Sequence, residues 1–191
     1  MRFWKTLINQ RRIVAIADVD FFNVYNVMYH RRREVKMNLQ IRQCEITDAK
    51  AIHDLNLREL GYDYSEDAAK EKIVKLLDSS KDRIYVALID GNVIGYVHAN
   101  DYDVIYEPHV KNIMGIAVSS NFRKMGIGKA LLDSVEHWAR DTGASGVRLV
   151  SGATRTGAHE FYHHCGYSGD KKQINLKKCF IFADQEDFEY C

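Results

Sequence analysis

Proline is almost missing from this chain. Pro108 is the single proline in 191 residues, so no proline-rich linker or recognition segment is present. No apolar run approaches the ~20 residues that a membrane-spanning helix needs, and no membrane partner is expected. The four cysteines, Cys44, Cys165, Cys179 and Cys191, show neither a Cys-x-x-Cys pair nor metal-ligand spacing. They read as reduced thiols of a cytoplasmic protein, and no metal site is expected. Excess charge is also lacking, since the formal net charge is +1. That value hides an asymmetry: residues 1–36 carry net +5 and residues 37–191 carry net −4. A nucleic-acid-binding surface on the larger part is therefore disfavoured. There are no repeats and no low-complexity linkers.

What remains is an ordinary soluble composition, 46% hydrophobic and 28% charged, long enough for one domain with a sizeable core. Residues 1–36 stand apart, with Arg31-Arg32-Arg33 and six aromatics. The apolar run around Ile13–Ile16 is too short for a secretory signal and soon meets Asp18 and Asp20. We read 1–36 as an N-terminal extension, an upstream translated segment, because Arg33 to Lys36 can be encoded as a purine-rich ribosome-binding site just before Met37. Residues 37–182 form the domain, and 183–191 an acidic tail.

Leu39 to Gln43 alternates like a strand. Thr47 or Asp48 can cap a helix with Ile52, Leu55 and Leu60 on its apolar stripe. Ser65 can cap a second helix, with Ile73, Val74, Leu76 and Leu77 on or near the buried side. Arg83–Ile89 and Val93–Ala99 flank the hairpin signal Asp90-Gly91. Asn100–His109 reads as a polar loop and Val110–Val118 as the central strand. Gly126–Arg140 is a helix, Val147–Val150 a strand, Ala158–His164 a short helix and Gln173–Phe182 a last strand. The order β-α-α-β-β-β-α-β-α-β-β is that of an α/β protein with a mixed sheet and helices on both faces.

One stretch carries chemistry on its face. The apolar run Ile113–Val118 leads through Ser119-Ser120-Asn121-Phe122-Arg123-Lys124-Met125-Gly126-Ile127-Gly128-Lys129 into helical spacing at Ala130, Leu131, Leu132, Val135 and Trp138. A strand, a glycine-bearing turn and a helix N-terminus present unpartnered N–H groups and positive potential. Gly126 and Gly128 let a ligand approach the backbone, and Arg123, Lys124 and Lys129 add positive charge. This is a phosphate or pyrophosphate site. It is not a P-loop, which would need glycine at Arg123 and a hydroxyl at Ala130. It is not a dinucleotide fingerprint, which would need glycine at Leu131.

Arg123-Lys124-Met125-Gly126-Ile127-Gly128 resembles Arg/Gln-x-x-Gly-x-Gly/Ala, the acetyl-CoA pyrophosphate loop of the GNAT superfamily of N-acetyltransferases. A second stretch, Ser151 to Tyr167, resembles that family's other signature, with Ala158, Tyr162, Gly166 and Tyr167 in register. Together the likeness covers about residues 39–180. It implies a GNAT-like, mostly antiparallel sheet whose central strands splay apart, with acetyl-CoA as co-substrate. By the same resemblance, the backbone of Ile116, Ala117 and Val118 pairs with the pantetheine arm. The amides from Lys124 to Lys129 hold the pyrophosphate, and Tyr162 offers its hydroxyl to the thioester sulfur. A backbone N–H near Val118 is suited to the oxyanion and a phenol to protonating the leaving thiolate. Many members carry asparagine where this chain has Arg155. Two roles stay open for Arg155, a contact to the cofactor's phosphates and hydrogen bonding around the helix start.

The attacking amine needs a proton acceptor. The family's layout points to the loop after the first helix and the loop before the central strand. Asp101 and Glu107 are the leading candidates, followed by Asp103 and His109, with Tyr62 and Tyr64 as contacts. Asp63, Glu66 and Asp67, together with the three acids of residues 97–110, suggest an acidic rim that attracts a cation. The expectation is an N-acetyltransferase that moves acetyl to a primary amine, a small cationic molecule, by direct attack in a ternary complex. A lysine- or N-terminus-directed protein acetyltransferase and a non-catalytic acyl-CoA-binding regulatory domain are the alternatives. A homodimer is compatible with the sequence, and no nucleic acid partner is expected.

Overall fold

The computed structural model describes residues 38–169 and 171–178. The expected extension, 1–36, and the acidic tail, 183–191, lie outside the described residues. The elements are β1 (Leu39–Gln43), α1 (Ala49–Leu55) continued by a π-helical turn (Asn56–Leu60), α2 (Glu66–Leu77), β2 (Asp82–Ile89), β3 (Asn92–Val104), β4 (Glu107–Val118), α3 (Ile127–Asp141), β5 (Val147–Leu149) and α4 (Thr156–His164). The chain divides into two compact units at Leu149/Val150.

In the first unit the sheet order is β1-β2-β3-β4-β5, with the first three pairings antiparallel and β4–β5 parallel. Asp90 and Gly91 both take positive φ, 50° and 81°, the geometry that closes a two-residue hairpin with the sheet's own twist. Strand alternation then sorts the side chains. Ile84, Val86, Leu88 and Tyr96 pack with Ile52 and Leu55 of α1 and Ile73 of α2. The residues between them, Tyr85, Ala87 and Val97, face the other way, against which α3 packs. Leu131, Leu132 and Val135 of α3 are wholly buried, each burial contributing about 1.5–3 kcal/mol. So α1 and α2 cover one face and α3 the other.

Local chemistry sets the helix starts. Glu45 and Asp48 form a reciprocal capping box ahead of α1, and the Arg42 guanidinium grips Asp48 at 2.6 and 2.8 Å. Ser65 caps α2 by accepting the Ala68 N–H at 3.2 Å.

Three expectations are corrected. Asn100–His109 is not a loop: β3 runs to Val104 and β4 starts at Glu107, with Asp101 opposite Lys111 and Tyr102 opposite Val110. Polar cross-strand pairs, the Asp101–Lys111 ion pair above all, hold this extension where apolar alternation is lacking. Val74 and Leu77 of α2 are exposed, and Ile73 supplies the buried contact. Residues 173–178 carry no strand, and 179–182 lie outside the described residues. Ile174 and Leu176 alternate as a strand would but are 85% and 86% exposed, so the pattern meets no surface that rewards it.

Candidate functional site

The central strand is half open. β5 pairs with β4 only from Lys111 to Ile113. The next residue, Met114, is an extra one in the β3–β4 ladder, since Ile113 faces Ala99 and Gly115 faces His98. Such a bulge bends and twists its strand, and it does so where the β5 pairing stops. From Met114 to Val118, β4 has β3 on one side and, within this unit, no strand on the other. The phase of the free groups follows from the register. Ser119 donates to the Ile94 carbonyl at 2.8 Å, which makes Val118–Gly95 a pair that exchanges no bonds. The N–H and C=O of Ile116 and Val118 therefore point to the open edge, and those of Gly115 and Ala117 to β3.

The strand delivers this edge into the loop. Gly126 sits at φ 81° as the residue before α3, and no side chain caps the helix. Ile127, 2% exposed, anchors the turn in the core. In the first intrahelical bond the Ala130 N–H donates to the Gly126 carbonyl at 3.0 Å. The amides of Ile127 and Gly128 then face the turn at the helix start, with the macrodipole behind them. Lys124 is also left-handed, at φ 61°, so the chain between Arg123 and Ile127 curls into an amide-lined concavity of the kind that takes anions.

The expected cations are less available than their number suggests. Lys129 Nζ sits 2.7 Å from both oxygens of Asp133. Arg123 Nη2 donates to Glu59 Oε2 at 2.5 Å, and the Ser120 N–H donates to Glu59 Oε1 at 2.8 Å. Glu59 lies in the π-helical turn, and nothing in the residue pattern marks its role. It reads as an ordinary polar helix position 61 residues before its amide partner.

Asp101 and Glu107 stand away from the amide-lined turn, Asp101 opposite Lys111, three residues before the open edge begins at Met114. Asp101 is bound to Lys111 Nζ at 2.5 Å. Lys111 is 2% exposed and stands 3.9 Å above the Trp138 ring, so Asp101 is the counter-charge of a buried cation. Trp138 is eleven residues along α3 from Ile127, about 16 Å by helical rise. Glu107 begins β4 at the hairpin tip, seven residues from Met114, about 23 Å by strand rise. His109 is bonded to Asp103 at 2.8 Å and lies 3.3 Å from Lys111. Glu66 pairs with Lys50 at 3.3 Å. Two of the six acids of the expected rim, Asp101 and Glu66, are thus paired with lysines. Tyr62 and Tyr64 are exposed in the connection between α1 and α2. Buried nearby, Tyr96 donates its hydroxyl to Asn56 Oδ1, and burial pushes its pKa up to about 12.

In the second unit Arg155 precedes α4 without capping it by its side chain. Tyr162 is half-buried, with the Phe161 ring centroid 5.2 Å away and Tyr167 edge-on at 6.1 Å. Burial raises the Tyr162 pKa; Arg155 opposes that shift and Cys165 adds to it. A phenol so placed is protonated at neutral pH and able to donate. Among the described residues no group of histidine, cysteine and carboxylate side chains is arranged to hold a metal, and no helix is long and apolar enough to cross a membrane.

An open strand edge leading into an uncapped helix start suits a ligand with an extended amide-bearing arm ending in phosphates, the chemistry of a coenzyme A thioester. Residues 49–167 match the model of the acetyltransferase (GNAT) family, and the chain belongs to that family, whose co-substrate is acetyl-CoA. Rat N-acetylaspartate synthetase (Rattus norvegicus) is 35% identical over 83 residues, 44% of this chain and 27% of that protein. The chain thus spans about a quarter of the length of that relative. An N-alpha-acetyltransferase of Sulfolobus acidocaldarius is 29% identical over 160 residues, 80% of this chain and 90% of its own. Among solved structures, an aminoglycoside N-acetyltransferase in complex with CoA superposes with a TM-score of 0.68 at 21% identity, covering 74% of this chain and 95% of that one. That likeness bears on the fold.

Proposed function

We propose that this chain transfers the acetyl group of acetyl-CoA to a primary amine, a small cationic molecule, by direct attack in a ternary complex. The observation that carries the reading is the unladdered edge of Ile116 and Val118 running into the left-handed turn at Gly126. The residues fit the co-substrate. Outward amides and carbonyls match the pantetheine arm, and the amides of Ile127 and Gly128 match the pyrophosphate. Lys124 and the outward N–H groups of Arg123 add charge.

Acetyl-CoA supplies an activated acyl group; the chain's task is to hold it and manage charge. An N–H on the open edge of β4 stabilises the oxygen as attack makes it anionic. Tyr162 donates its proton to the departing thiolate, a contribution worth typically about 10²–10⁴-fold. With Asp101 committed to Lys111 and Glu107 at a hairpin tip, the amine's proton passes to solvent or to a group on the acceptor itself. Support for a small cation comes from Tyr62 and Tyr64 beside Asp63 and Asp67, aromatic faces and carboxylates in one exposed connection. The relatives' names point to different acceptors, so they do not decide this.

The test is thiol release from acetyl-CoA across cationic amines, zwitterionic amino acids and lysine or N-terminal peptides. Release with small polyamines or amino sugars supports the reading. Release with peptides alone refutes the acceptor class, and CoA binding with no release against any amine refutes the enzyme.

A further inference from the structure

We infer that Glu59 is a positioning residue of the acetyl-CoA loop and ties it to the helix on the acceptor side. The inference rests on the cofactor reading above. Three observations carry it.

First, Glu59 is nearly buried, its side chain 10% exposed, and a carboxylate in that setting requires partners. Both its oxygens are engaged on the loop, one by the Ser120 N–H and one by the Arg123 guanidinium. Second, the grip spans the joint between the open edge and the amide-lined turn. Ser120 lies two residues past Val118, and Arg123 Nε lies 3.4 Å from the Val118 carbonyl, which faces the open edge. One carboxylate thus sets where β4 ends and where the turn begins. Third, Arg123 is not consumed by the pairing. Its side chain stays 56% exposed, and a guanidinium has five N–H donors, so those not on Glu59 or the Val118 carbonyl remain for phosphate. The pairing fixes the fork's plane before the ligand arrives, which lowers the ordering cost of binding.

The π-helical turn explains how Glu59 reaches. Leu55 is buried in the core, whereas Leu57, Arg58 and Glu59 fall in a widened turn that ends at Gly61 with φ 76°. Widened turns of this kind aim side chains that a regular helix would place elsewhere. The same turn continues directly into Tyr62 and Tyr64. A shift of Glu59 on cofactor binding would therefore be felt in the connection proposed to meet the amine.

The experiment measures CoA affinity by calorimetry and separates KM for acetyl-CoA from kcat. Glu59→Gln keeps size and removes charge. It should weaken CoA binding roughly tenfold, the size of a lost charge-assisted hydrogen bond, with kcat within about twofold. Arg123→Gln, a residue the family motif accepts, should weaken binding similarly. The double variant should be no weaker than the weaker single, because the two act as one unit. Unchanged affinity in Glu59→Gln, or losses that multiply in the double, overturns the proposal. Should Glu59→Gln fail to melt cooperatively, Glu59→Asp keeps the charge one methylene short and should lose several-fold; wild-type affinity there overturns it equally. Failure of wild-type protein to bind CoA at all would instead remove the cofactor reading.

Discussion

Gly126 and Gly128 look alike in the sequence and should behave oppositely when each becomes alanine. At Gly126 φ is 81°, where a β-carbon crowds its own backbone at a cost of about 1–2 kcal/mol. Alanine can escape only by rotating out of the left-handed region. That rotation turns the next amides away from the concavity, and each charge-assisted bond to a phosphate is worth about 1.5–3 kcal/mol. Gly126→Ala should therefore lose about 1–2 kcal/mol of stability and about 10- to 100-fold in CoA affinity.

Gly128 is not among the residues with positive φ and lies in the first turn of α3. Alanine there trades glycine's backbone entropy for a better helix former, a gain of up to about 1 kcal/mol. The family pattern admits alanine at this position, so CoA affinity should fall by less than about threefold. Urea unfolding reads the stabilities and calorimetry with CoA the affinities. Equal behaviour of the two variants in both assays would refute the assignment of the left-handed turn as the anion cradle.

Tyr162→Phe should lower kcat by about 10²–10⁴-fold and leave CoA affinity within about twofold; unchanged turnover would sink the acid role. Because burial raises the Tyr162 pKa above 10.0, any alkaline fall in wild-type turnover due to this group should lie above that pH and vanish in the phenylalanine variant. Asp101→Asn leaves Lys111 buried without its counter-charge and should cost about 3 kcal/mol, more than Lys111→Met, which strands only a partly exposed carboxylate. An Asp101→Asn protein as stable as wild type but inactive would restore Asp101 as the base. At Asp48, burial raises the carboxyl pKa, but the Arg42 guanidinium and the Glu45 amide outweigh it and hold it below 3.8. A depressed folded-state pKa means stability present above the unfolded value and lost as pH falls through the folded one. Wild type should lose this increment below about pH 4, whereas Asp48→Asn, weaker by about 2 kcal/mol at pH 7, should show no such loss.

The cofactor half of the site was legible because it is local. Strand, turn and helix start lie within Ile113 to Leu132, and the physics of each part acts on neighbours in the chain: a left-handed glycine, unpartnered amides, a helical apolar stripe. The Asp90-Gly91 hairpin was legible for the same reason. What escaped is what distance in sequence conceals. The Met114 bulge that opens β4 depends on register against β3. Glu59 depends on a widened turn far upstream. The length of the β3–β4 hairpin depends on Asp101 finding Lys111, a polar pairing that hydrophobic alternation cannot register.

How the rim acids are paired bears on the acceptor. Six acids near the expected rim suggested a strong field for a cation. In the fold, Asp101 neutralises a buried lysine and Glu66 meets Lys50. A paired carboxylate contributes little potential at a distance, especially beyond the screening length of physiological salt, about 8 Å. Selection of the amine therefore cannot rest on long-range attraction to the rim. Under the proposed function it rests on contact, for which the exposed connection from Gly61 to Ser65 offers Tyr62, Asp63 and Tyr64. Aromatic recognition of a cation needs the amine partly desolvated against a ring face, whereas a charged rim does not. Turnover of a cationic acceptor should accordingly depend weakly on ionic strength and strongly on the Tyr62 and Tyr64 rings.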